Sequence, residues 1–141
     1  VTDRKKALTG KKKAILAARC LEEKKALDIV LLEVVKLTPV ADYFVIATGE
    51  SKRQIKACSE HIEETLSMRG VYPHHLEGDV HLEWVLMDYG DVIIHIFDRE
   101  ARVYYGLERL WGDAPQVTYR ARRRRKMTGK LASGNEMEGM V

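Results

Sequence analysis

Residues 83–97 read EWVLMDYGDVIIHIF, and the fold turns on how this stretch is read. Glu83–Tyr89 and Val92–Phe97 are two apolar runs on either side of Gly90-Asp91. Gly and Asp accept the backbone angles of a tight reversal, so the spacing predicts two antiparallel strands joined as a hairpin. His95 is a polar residue inside the β-branched second run.

Working outward toward the N-terminus, Pro73–Glu77 predicts a short edge strand, with Gly78-Asp79 turning the chain. Upstream, Ser51 and Gln54 have capping-box spacing. Ile55, Cys58, Ile62 and Leu66 then follow on one helical face, and Gly70 suits a left-handed stop. Tyr43–Thr48 (YFVIAT) and Ile29–Val35 read as buried strands, separated by the break at Thr38-Pro39. Residues 13–27 are rich in Ala, Leu, Lys and Glu and predict a first helix. Toward the C-terminus, Asp98 caps a last helix whose apolar stripe is Val103, Tyr104, Leu107, Leu110 and Trp111, ended by Gly112 and Pro115. The order is helix, two strands, helix, three strands, helix. This is a single α/β domain with a mixed, about five-stranded sheet flanked by helices. The division expected is a basic flexible segment at 1–12, the α/β domain at 13–115 and a basic tail at 116–141.

The net charge of +3 conceals an asymmetry. Positions 14–119 hold eleven basic and eighteen acidic side chains, while Arg4–Lys13 and Arg120–Lys130 carry the remaining thirteen cations. An acidic body suits a protein partner, and basic ends suit a polyanion. Two cysteines, Cys20 and Cys58, are too few to staple a small secreted fold and form no ligand-spaced pattern. A reducing cytoplasm is expected, with an organelle as the alternative. No apolar run of roughly 18 residues exists, so no membrane span is expected.

Catalysis needs a nucleophile with its base, or grouped metal ligands. His74, His75, Glu77, Asp79 and His81 are crowded but match no ligand spacing, and adjacent strand residues face opposite ways. Asp88 and Asp91 flank a turn that wants Asp and Gly for backbone reasons. Thr48-Gly49-Glu50-Ser51 leads into a helix N-terminus but lacks a phosphate-loop signature, so Ser51 reads as an N-cap. No enzyme activity, metal or cofactor is expected. Trp84, Tyr89 and Trp111 are large aromatics whose spacing suits core filling and interface anchoring alike.

From Leu37 to Pro115 the chain resembles the Iojap-like family of ribosomal silencing factors. The carrying residues are Thr38–Asp42 with YFVIATGESKRQIKACSEHIEE, Glu77-Gly78, and WVLMDYGDVIIHIFDREARVYYGLERLWGD. The resemblance implies a fold similar to nucleotidyltransferases without their Asp-x-Asp metal pair, which is missing after Ser51. It implies binding to the large ribosomal subunit through its L-fourteen protein, a block on small-subunit joining, and a homodimer when free. The matching positions Glu77, Gly78, Trp84, Asp88, Tyr89, Gly90, Asp91, His95 and Phe97 are the expected partner-binding residues. Arg120, Arg122, Arg123, Arg124, Arg125 and Lys126 are the candidate contacts to ribosomal RNA. The expected location is a bacterial cytoplasm, or an organelle matrix or stroma. The competing readings are a divergent metal-dependent nucleotidyltransferase using Asp88 and Asp91, and a general RNA-binding module led by the basic tails.

Overall fold

Five strands form one mixed sheet in the order β1-β2-β5-β4-β3. The structure is a computed structural model, and it describes residues 8–78 and 83–119. The elements run α1 (Gly10–Glu23), β1 (Leu27–Glu33), β2 (Tyr43–Thr48), α2 (Lys52–Ser67), β3 (His75–Glu77), β4 (Trp84–Asp88), β5 (Val92–Phe97), α3 (Arg99–Tyr105) and α4 (Leu107–Leu110). Strands β2 and β5 pair in parallel, Tyr43 with Val92 through Thr48 with Phe97, and the other pairs are antiparallel. The hairpin read from residues 83–97 is present, with Leu86 opposite His95. The expected α/β domain with a five-stranded mixed sheet is therefore what the chain adopts.

The two sheet faces are covered unequally. Alternation along β5 sends Val92, Ile94 and Ile96 to one face and Ile93, His95 and Phe97 to the other. On the first face, Ala14, Ala17, Ala18 and Leu21 of α1 and Ile55, Cys58, Ile62 and Leu66 of α2 close over the sheet. Both sets fall on one helical stripe, and the alanines let α1 come close. Among the described residues the second face is covered by short pieces: Ala101, Leu107, Trp111 and Ala114 pack there on Leu32, Phe44, Ile46, Ile93 and Phe97.

Several boundaries differ from expectation for local reasons. Helix α1 begins at Gly10 because Thr9 caps it, its side chain accepting from the Lys12 N–H at 3.2 Å. It stops at Glu23, short of residue 27, because Lys25 turns left-handed at φ 66°. The Lys25 N–H bonds the Glu22 carbonyl and the Ala26 N–H bonds the Leu21 carbonyl, closing a Schellman turn. Strand β1 starts early, at Leu27, across a bulge at Asp28 (φ 51°). The single helix expected after Asp98 is two helices, because Gly106 is left-handed at φ 55° and resets the helical phase. The expected core stripe is broken with it: Val103, Tyr104 and Leu110 are exposed, while Leu107 and Trp111 remain half-buried. Beyond the last helix, Val117 N–H bonds the Leu31 carbonyl and Glu33 N–H bonds the Pro115 carbonyl, so residues 115–117 lie along β1.

Candidate functional site

The thinly covered sheet face carries a continuous run of rings. Phe44 meets Trp111 edge-on at 5.4 Å and His95 at 5.2 Å. His95 stacks on Phe97 at 6.1 Å, and Trp84 lies 5.0 Å from Phe97 and 4.7 Å from Tyr105. Tyr104 ends the run, edge-on to Tyr105 at 5.0 Å. Aromatic pairs in these geometries each add about 0.5–1.5 kcal/mol beyond area burial. The run passes from buried Phe97 to Tyr104, which is 80% exposed, while the exposed Val103 lines a cavity with Ile29 and Val30 of β1. Ala101 is the buried residue of α3, which leaves Tyr104 outside, and exposed large apolar side chains mark a candidate docking surface.

His95 sits in the middle of this run. Trp84 donates its indole N–H to His95 Nδ1 at 3.2 Å, so the ring proton of the neutral imidazole belongs on Nε2. That Nε2 is buried and has no hydrogen-bond partner among the described residues. Burial alone pulls the His95 pKa down to about 4, which keeps the ring neutral.

The nine positions expected to bind a partner fall in four places. Glu77, Trp84, His95 and Phe97 share the thinly covered face: the register sets Glu77 beside Leu86 beside His95, and Trp84 beside Phe97. Gly78, at φ 96°, brings the end of β3 so close to β4 that a Cβ would lie 2.4 Å from the Trp84 carbonyl oxygen. Asp88, Gly90 and Asp91 build the hairpin turn. Asp88 Oδ1 accepts the Gly90 N–H at 2.8 Å, and Asp91 Oδ1 lies 2.6 Å from Lys13 Nζ, tying the turn to α1. Both carboxylates are thus engaged in structure. Tyr89 points the other way, into the core under α1 and α2, with its hydroxyl unpartnered and its pKa raised by burial. Sequence reading missed Tyr105 and placed Tyr104 in the core; the glycine at 106 was the available signal. Arg120, Arg122, Arg123, Arg124, Arg125 and Lys126 lie outside the described residues, as do Asp79 and His81.

The strand-to-helix junction at residues 48–51 is saturated by its own side chains. Ser51 Oγ accepts the Gln54 N–H at 3.0 Å, as an N-cap. Gln54 Oε1 reaches back one residue further than a capping box, to the Glu50 N–H at 2.6 Å, and its amide nitrogen donates to the carbonyls of Lys24 and Lys25. Nearby, Arg102 forks onto Glu108 at 2.8 and 2.9 Å and donates to Thr48 Oγ1 at 2.8 Å. The hydrogen bonds from Arg102 hold the Glu108 carboxyl below its ordinary pKa.

The sequence model of the family described as ribosomal silencing factor during starvation matches residues 7–138. A ribosomal silencing factor of Bacillus subtilis is 42% identical over 100 residues, covering 71% of this chain and 85% of that protein. The chloroplastic protein Iojap of Arabidopsis thaliana is 35% identical over 105 residues, covering 74% of this chain and 43% of that longer protein. Among solved structures, a Chromobacterium violaceum protein superposes with a TM-score of 0.72 at 38% identity, covering 74% of this chain and 88% of that one. With a family match over nearly its whole length, and relatives near 40% identity, this chain belongs to the ribosomal silencing factor family.

Proposed function

We propose that this protein is a non-enzymatic translational repressor that docks on the large ribosomal subunit through the L-fourteen protein and sterically blocks small-subunit joining. The observation that carries the reading is the exposed edge of the aromatic run, Tyr104 with Tyr105, on a chain of this family. Large aromatics at a desolvated centre supply most of the energy of protein interfaces. The acidic body complements a basic ribosomal protein and steers the encounter. A mouse relative, 32% identical over 94 residues, is named for mitochondrial assembly of the large ribosomal subunit, which supports that subunit as the partner. No step beyond occlusion is required, since affinity for the free subunit becomes a penalty on association.

Within this reading the domain expected at 13–115 has basic extensions on both sides, and its folded part reaches from Thr9 to Val117. The run Arg120–Lys126 then contacts ribosomal RNA, and a free chain hides its apolar face in a symmetric dimer. The protein works in whichever compartment holds its ribosomes, a bacterial cytoplasm or an organelle interior. Light scattering of purified subunits tests the core of the proposal. Saturating protein is expected to abolish the rise in scattering on mixing, and sedimentation should place the protein with the large subunit. Undiminished joining at saturation sinks it.

A further inference from the structure

Away from the aromatic face, the α1–α2 seam brings together three side chains that chemistry pairs with metals. Cys20 and Glu23 lie one turn apart on α1, and His61 reaches them from α2. A sulfur, a carboxylate oxygen and a ring nitrogen from these residues all lie within 4.8 Å of one another. No other such group occurs among the described residues, and the histidines of β3 do not form one. We propose that Cys20, Glu23 and His61 form a zinc site that clips α1 to α2.

The donor set selects the ion. A thiolate favours zinc over magnesium or calcium, and an imidazole with a carboxylate completes a common zinc environment. Zinc bonds of about 2.3 Å to sulfur and about 2.0 Å to nitrogen or oxygen put tetrahedral ligands roughly 3.3–3.6 Å apart. The three donor atoms already lie within 4.8 Å of one another, with His61 Nε2 2.7 Å from Glu23 Oε1, a span that brackets the zinc spacing. Freedom to adjust exists where it is needed, because the Glu23 side chain is 66% exposed and the His61 side chain 27%, whereas Cys20 is buried and fixed. The open side also admits a water as fourth ligand.

Outer contacts fit the same reading. Thr65, one turn beyond His61, hydrogen-bonds the Cys20 sulfur and favours its thiolate. Burial works against that thiolate in the free protein, raising the Cys20 pKa. A bound dication supplies the missing compensation. On binding, the Cys20 S–H bond breaks, its proton leaves to solvent and the sulfur lone pair bonds zinc. Glu23 binds through a carboxylate oxygen; the His61 Nε2–H that faces it breaks, a proton is taken up at Nδ1 in exchange through solvent, and the freed Nε2 lone pair bonds zinc. Two ligand negative charges meet two positive ones, and no electron changes hands.

The test uses the full chain, stripped of metal by a chelator and then titrated with zinc alone. One zinc per chain is expected, with about one proton released per zinc bound. Cobalt in place of zinc should show a thiolate-to-metal charge-transfer band. His61→Ala, a surface change, should weaken zinc by more than the roughly 10–100-fold that an outer-contact change costs, and Thr65→Val should cost about tenfold. Cys20→Ser should abolish the cobalt band, with circular dichroism confirming the fold. Zinc should also raise the urea midpoint of the parent protein and not that of His61→Ala. Absence of the thiolate band overturns the site. So does zinc affinity that is unchanged in folded His61→Ala, or that is lost instead in His75→Ala.

Discussion

His95 keeps its proton on Nε2 because Nδ1 already accepts from Trp84, and both nitrogens lie inside a wall of rings. In the unfolded chain this imidazole titrates near pH 6.5, but in the fold it does so only near pH 4. The unfolded state therefore binds the proton first as pH falls. Stability from this group is complete above about pH 6.5 and declines by roughly 3 kcal/mol by pH 4. His95→Gln, which keeps an acceptor for Trp84, should flatten that decline when urea unfolding of the two proteins is compared at neutral and acid pH. Equal slopes would show that His95 does not carry it. Tyr104 and Tyr89 make a contrasting pair. Tyr104→Ala should leave stability within about 0.5 kcal/mol, since the ring is outside, yet weaken ribosome binding by about 2 kcal/mol, or roughly thirtyfold. Tyr89→Phe removes a buried hydroxyl that has no partner, so stability should hold or rise and binding should not move. A docking defect in Tyr89→Phe would argue against the aromatic face as the contact. Residue types marked Trp84, Tyr89 and Tyr104 as candidates, but not which way each faces; alternation along the hairpin decides that for Trp84 and Tyr89, and the packing of Ala101 decides it for Tyr104.

Among the elements, those with strong local signals were legible from residues alone. Strand β5 runs over the expected Val92–Phe97, because Gly90-Asp91 fixes its start and Asp98, capping α3 through the Ala101 N–H at 2.8 Å, fixes its end. Helix α2 has its cap and its buried stripe where the spacing put them. What the chain concealed were conformations that run against residue preference. Lys25 in the left-handed region gave no glycine to read, so α1 seemed to continue. That conformation costs a side-chain-bearing residue about 1 kcal/mol or more. Lys25→Gly should therefore raise the unfolding free energy by about 0.5–1 kcal/mol, measured as a higher urea midpoint at unchanged slope. A lower midpoint would mean that the Lys side chain contributes more than the backbone strain it causes. The zinc-ligand trio was hidden for a different reason: Cys20 and His61 are distant in sequence and meet only where two helices pack.

For the whole molecule, the proposed function divides the work of binding between an acidic body and basic ends, and salt separates the two. Each phosphate neutralised by the C-terminal run releases counterions, so about four contacts should contribute roughly 3 units to the log–log salt slope. The informative truncation ends after Tyr119, because Val117 bonds Leu31 and Arg19 Nε donates to the Tyr119 carbonyl at 3.3 Å. The shortened protein should bind at low salt with a flatter slope; an identical slope would make the extension a bystander. Sedimentation of the free chain at tens of micromolar should show a dimer, whose dissociation by Tyr104→Ala would place the self-contact on the docking face. The parallel pairing of β2 with β5 has a further consequence, in time. Thr48 waits about fifty residues of synthesis for Phe97, the residue beside which it will lie. The rings of Trp84, Phe97 and Tyr105 come together only after that strand is inserted. Long-range pairing of this kind is a late event in folding. On the proposed function, a growing chain therefore lacks its docking face until the sheet closes.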